Sequence, residues 1–177
     1  IKIDAWAFKG CKSLCKVSLG NGLWEIGIFA FQDCVSLSEI SLPNTLVKIG
    51  GGAFDGCTSL KNIVIPNSVK ELGTGIFQDC ISLSNVQLNN MDEIPAFMFS
   101  GCTSLKDITL SQYVKGIGPY CFYGCNALTH VIFTPSSHVE TIGEKAFANC
   151  ISLQGTIPND LGLFLMLKHI GKNAFQN

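Results

Sequence analysis

Arginine is absent from this chain of 177 residues: all twelve basic residues are lysine, against thirteen Asp and Glu, for a formal net charge of −1. Proteins that grip nucleic acid gather Lys and Arg on one face and use Arg to hold phosphates and read bases. A near-neutral chain without Arg excludes that class. Charge of either sign is scarce, at 14% of residues, while 47% are apolar, which excludes a disordered segment. Long apolar runs are also missing. The longest, Leu161 to Leu167, falls far short of the roughly 20 residues that span a bilayer, so no membrane insertion by this segment is expected. No Gly-x-Ser-x-Gly elbow, phosphate loop or His-Glu-x-x-His motif occurs, and an enzyme is not expected. There is no initiator Met and no targeting signal, so the chain reads as a piece of a longer protein.

What is present is a repeat. The run Ile49-Gly-Gly-Gly-Ala-Phe-Asp-Gly-Cys57 returns as Ile26-Gly-Ile-Phe-Ala-Phe-Gln-Asp-Cys34 and as Ile142-Gly-Glu-Lys-Ala-Phe-Ala-Asn-Cys150. The Phe column comprises Phe8, Phe31, Phe54, Phe77, Phe99, Phe122, Phe147 and Phe175, with spacings of 23, 23, 23, 22, 23, 25 and 28. About seven repeats of 22–28 residues and a partial eighth therefore fill a single domain, 1–177. After each Cys comes a Leu-x-x-Ile/Val-x-Leu alternation, as in Leu60-Lys-Asn-Ile-Val-Ile65. A strand of that length pairs with its copy in the next repeat, giving a parallel sheet. Strands are expected near 16–19, 39–42, 62–65, 85–88, 107–110 and 130–133. The residue before Cys is Gly10, Asp33, Gly56, Asp79, Gly101, Gly124 or Asn149, the types that best accept positive φ. A short helical turn through Ala-Phe, ended by that left-handed residue, follows. The Gly after Ile (Gly27, Gly50, Gly73, Gly118, Gly143, Gly171) marks a second bend.

Nine cysteines need an account. Cys11, Cys34, Cys57, Cys80, Cys102, Cys125 and Cys150 share one column, and Cys121 takes an Ala place. All eight read as small core residues with free thiols, because side chains in one column run parallel instead of facing each other. Cys15 alone leans outward and is expected to be reactive. Two Cys-x-x-x-Cys pairs (Cys11/Cys15, Cys121/Cys125) lack a second ligand pair, so no metal and no cofactor are called for. His130 falls on an outward strand position, and His138 and His169 fall in inter-strand turns.

On the strands, outward residues alternate with inward ones. One outward row is Lys16, Glu39, Asn62, Asn85, Asp107 and His130. The next is Ser18, Ser41, Val64, Gln87, Thr109 and Ile132. Neither row holds an aromatic platform or a block of like charge, which disfavours simple glycans and nucleic acid. A broad protein-binding surface fits these rows, with candidate contacts Lys16, Glu39, Asn62, Val64, Asn85, Gln87, Asp107, Thr109, His130 and Ile132. The alternative is a passive spacer that projects other domains.

The strand alternation, the Ile-Gly-x-x-Ala-Phe-x-x-Cys run and the trailing Pro43 and Pro66 together resemble the BspA-like, or Treponema pallidum-type, leucine-rich repeats over essentially the whole chain. The resemblance implies an α/β-type solenoid, a right-handed superhelix with its parallel sheet on the concave side, mostly strand and loop with short helical turns. It also implies a surface or secreted protein that adheres to host matrix or cell-surface proteins. Three departures stand out. Repeat four is one residue short near Asn89-Asn-Met-Asp92. Repeat six gains two residues around Thr134-Pro-Ser-Ser-His138. Repeat seven has a shortened strand, Leu153-Gln-Gly-Thr-Ile-Pro158, and the long Leu161–Leu167 stretch, which is either extra core or a functional insertion. Both ends lie in mid-repeat without a polar cap, so end-to-end self-association is expected.

Overall fold

In the computed structural model, residues 1–88, 90–134, 137–153 and 166–177 are described. The shortened strand at Leu153–Pro158 and the Leu161–Leu167 stretch lie almost wholly outside them, as do Asn89 and residues 135–136. The chain winds as a parallel β-solenoid. Its first ladder holds β2 (Lys16–Ser18), β4 (Glu39–Ser41), β6 (Asn62–Val64), β8 (Asn85–Gln87), β10 (Asp107–Leu110) and β12 (His130–Phe133). These match the expected strand positions, but they do not form one continuous sheet. They pair as β2–β4, β6–β8 and β10–β12, each parallel and in register with its copy.

A second ladder was not foreseen. It comprises β1 (Lys2–Ile3), β3 (Glu25–Ile26), β5 (Lys48–Ile49) and β7 (Glu71–Leu72), then β9 (Glu93–Ile94), β11 (Gly116–Ile117), β13 (Thr141–Ile142) and β14 (His169–Ile170). Each group of four is one parallel sheet. The break between β7 and β9 falls where repeat four is a residue short and Pro95 stands in the Gly place. The Gly column beside these strands serves close approach and not a left-handed bend, since none of its members has positive φ. A Cβ at Gly50 would lie 2.5 Å from the backbone N of Ile28 in the preceding coil.

The expected helical turn is absent, and with it the α/β class: the turns are built otherwise. Between Gly27 and Cys34 alternate amides bond within the turn and across to the next coil. Ala30, Gln32 and Cys34 donate to Gly27, Phe29 and Phe31, while Phe29, Phe31 and Asp33 donate to Gly51, Ala53 and Asp55. A helix needs every amide for its own ladder; here half are spent on the neighbour. Two left-handed residues per turn enforce the pattern. One is the column before Cys, as expected: Gly10, Asp33, Gly56, Asp79, Gly101, Gly124 and Asn149 all have φ between 53° and 75°. The other was missed: Trp6, Phe29, Gly52, Gly75, Phe97, Tyr120, Lys145 and Asn173, with φ of 51–61°.

Inside the coils the eight Phe rings form one stack, Phe8 to Phe175, with neighbouring centroids 5.0–5.8 Å apart. Phe31 through Phe147 are buried. Beside them, each buried thiol of the Cys column donates to the Phe carbonyl of the preceding coil, Cys57 to Phe31 at 3.2 Å and Cys80 to Phe54 at 3.1 Å. All nine cysteines are free. Cys11 is the exception to the core reading. It lies in the first coil and is exposed.

Candidate functional site

The first ladder sets its outward side chains in two rows. In β4, β6 and β10, inward Ile40, Ile63 and Ile108 are buried while the flanking residues face solvent. All ten candidate contacts, Lys16 through Ile132, are exposed. In-register pairing brings first-row neighbours together two by two. Lys16 Nζ meets the Glu39 carboxylate in an ion pair. Asn85 Nδ2 donates to Asn62 Oδ1 at 2.7 Å. His130 Nδ1 lies 2.9 Å from Asp107 Oδ1. Each pair is the one that the ladder register dictates. Glu39 is held below the usual carboxylate range by its bond to Lys16 and by the lysine's charge. In the second row, Val64 and Ile132 are apolar and about half exposed, standing beside Gln87 and Thr109.

The His130 cluster does not have the geometry of a catalytic triad. Thr129 Oγ1 lies 3.0 Å from the Lys106 carbonyl oxygen and 3.3 Å from Asp107 Oδ1, acceptors that compete for its one proton in place of the ring, so the base-to-nucleophile contact of covalent catalysis is missing. His138 is exposed in a loop as expected, but His169 belongs to β14, not to a turn. Among the described residues no group of three or more His, Cys, Asp or Glu is placed to hold a metal ion. No helix among them is long and apolar enough to cross a membrane.

The buried thiols are chemically quiet. Burial first, then the neighbouring Cys34 sulfur, pushes Cys57 up to about 12, and burial pushes Cys150 up to about 12. Cys80, Cys102 and Cys121 are also raised by burial. Cys15 is exposed, as expected, and shares that status with Cys11.

A second surface escaped the sequence reading. It follows the second ladder, at the newly found left-handed column. Phe97 and Tyr120 stack there with centroids 5.0 Å apart, and Lys145 Nζ stands 5.3 Å from the Tyr120 ring centre. Gly52 and Gly75 interrupt the aromatic row and leave an open cleft of ≈ 410 Å³ between Phe29 and Phe97, lined also by Thr74, Asp55 and Gln78. The available signal was the residue two places before each Phe: aromatic at Trp6, Phe29, Phe97 and Tyr120, glycine at the two positions between.

Comparison with known proteins agrees with this architecture. No curated protein matches the chain. A leucine-rich repeat protein from Eubacterium ventriosum superposes with a TM-score of 0.79 at 23% identity, over 94% of this chain and 44% of that one. The T. pallidum leucine-rich repeat protein is 32% identical over 99% of this chain and 68% of its own, with a TM-score of 0.61. A leucine-rich cell surface protein from Faecalibacterium prausnitzii is 25% identical over 94% of this chain and 54% of its own, with a TM-score of 0.69. The chain thus spans less than half the length of the first of these. The model of the BspA type leucine-rich repeat region matches residues 1–91, 24–154 and 81–177. With the Phe stack, the Ile-Gly ladder and the Cys column in the same register throughout, the chain belongs to the BspA-type leucine-rich repeat family.

Proposed function

We propose that this chain is a non-enzymatic protein-binding module of a surface or secreted protein, and that the outward rows of the first ladder make the contact. The carrying observation is the pair of exposed rows, with different side chains at nearly every step, on a rigid stacked frame. An unrepeated row of mixed polar and apolar groups suits a protein partner, where a repeated ligand would call for a repeated code. The cell-surface description of the Faecalibacterium relative supports the location. Host matrix and host-surface proteins are the partners this reading favours. The test is a binding screen of the chain against such proteins, repeated with Asn62→Lys, Val64→Lys, Asn85→Lys and Gln87→Lys together. Loss of a partner's binding in the fourfold variant supports the first-ladder site; unchanged affinity rejects it.

One observation favours the spacer alternative. The first-row groups Lys16 and Glu39, Asn62 and Asn85, and Asp107 and His130 satisfy one another. If no partner binds the chain or its parent protein, these pairs are the surface of a strut.

A further inference from the structure

The cleft beside Gly75 has a defined thickness. Parallel neighbours lie about 4.8 Å apart, so Phe29 and Phe97, three coils apart in one column, are separated by roughly 14 Å at the backbone. The Phe29 ring covers the first step, since a Cβ at Gly52 would lie 2.2 Å from its Cε1. Over Gly75 no ring lies. The nearest atoms to a Cβ there are Gln78 Oε1 at 3.2 Å and the Cβ atoms of Gln78 and Phe97, each at 3.9 Å. The open place is therefore about one planar layer thick, with a phenyl ring on either side. Further along this column Phe97 and Tyr120 stack at 5.0 Å, so a flat group at Gly75 would extend an existing row.

The cleft also has a sign. Asp55 lines it, with Oδ2 accepting from Gln32 Nε2 at 2.7 Å. Burial is the main cause that raises its pKa, and the nearby carboxylates of Asp79 and Asp33 add to it. Cations already sit over rings on this surface: Lys9 Nζ is 6.0 Å from the Phe29 centre, as Lys145 is close to Tyr120.

We propose that the cleft between Phe29 and Phe97 receives the guanidinium of an arginine side chain presented by a protein partner, its plane parallel to the rings and its N–H groups donating to the Asp55 carboxylate and Gln78 Oε1. The inference rests on the protein-binding reading but assigns a different surface. A guanidinium is flat, weakly hydrated and always charged; it stacks on aromatic faces and forks onto a carboxylate. An ammonium supplies the charge and cannot fill the slot. The chain contains no arginine, so neither its own surface nor a second copy can supply the group.

The test is titration of N-acetyl-arginine N-methylamide into the isotope-labelled chain, following the amides of Gly51, Gly52 and Gly75. Saturable shifts confined to these amides are expected, with the blocked lysine about tenfold weaker and the neutral, flat citrulline analogue silent. Asp55→Asn should weaken the arginine titration about tenfold while leaving the rest of the spectrum in place. Gly75→Asn, which tolerates positive φ and fills the slot, should abolish it. Equal shifts from the citrulline analogue, stronger shifts from a blocked phenylalanine or a methyl glycoside, or an unaffected Asp55→Asn would overturn the proposal. The fourfold lysine variant of the first ladder should leave the arginine titration unchanged. A partner lost by that variant and retained by Asp55→Asn and Gly75→Asn would reject this cleft and keep the first-ladder site; the reverse pattern would do the opposite.

Discussion

The turn wall and the first-ladder face belong to the same coils, yet they are held in different ways. On the turn wall, alternate amides cross to the next coil at step after step, from Phe8 with Ala30 to Asn149 with Gln176. The Phe stack and the thiol-to-carbonyl bonds run beside them without a gap. The first ladder is paired two by two, and its outward contacts are exposed pairs such as Lys16 with Glu39. Cohesion between coils therefore resides in the turn wall and in the Phe and Cys columns buried behind it, and the first-ladder face is left free to carry a recognition surface.

The sharpest way to break this comparison is to truncate the stack. Phe54→Ala should destabilise by about 3–5 kcal/mol in urea unfolding, as for other buried aromatics. Gly50→Ala comes next. Its Cβ would meet backbone of the preceding coil at 2.5 Å, which no rotamer can relieve, so a loss of about 1–3 kcal/mol is expected. On the face, Lys16→Ala should leave the urea midpoint essentially where it is, because an exposed ion pair contributes little.

The cysteines sharpen the comparison by pH. A thiol whose folded pKa lies above its unfolded value favours the native state below the unfolded pKa. That contribution is lost as pH rises from the unfolded value of 9.0 toward the folded value of about 12 at Cys57 and Cys150. Stability should thus be level in its thiol contribution up to about pH 8 and fall beyond 9. Alkylation of the native chain followed by mass mapping should label Cys11 and Cys15 first, with the column from Cys34 to Cys150 reacting only on unfolding.

Much of the wall was legible because its Phe and Cys columns are invariant. Phe at one place and Gly, Asp or Asn before Cys can mean little besides a stacked ring and a left-handed residue. The second left-handed column was hidden because Phe29, Phe97, Tyr120 and Lys145 are poor choices for positive φ, and the cross-coil bonds that help hold them there are not visible in the sequence. The helical reading of Ala-Phe failed for the same reason: local propensity was overridden by amides committed to the next coil. The second ladder escaped because its strands are two residues long, too short for an alternation to register. The ten face residues lie on the exposed side of their strands, since period-two alternation fixes which side they occupy. The cleft was not, because it arises from two glycines meeting between aromatic neighbours, which is visible only once the coils are stacked in register.

Native-state hydrogen exchange measures the central claim most directly. The amides of Phe54 and Phe77, bonded across coils to Ile76 and Met98, should exchange only through global unfolding. Those of Ser84 and Ile65, which flank the β6–β8 pairing, should exchange at least about tenfold faster through local opening. If Ser84 and Ile65 are instead the slowest amides and Phe54 and Phe77 open before them, the coils are held by the ladder and the account is wrong.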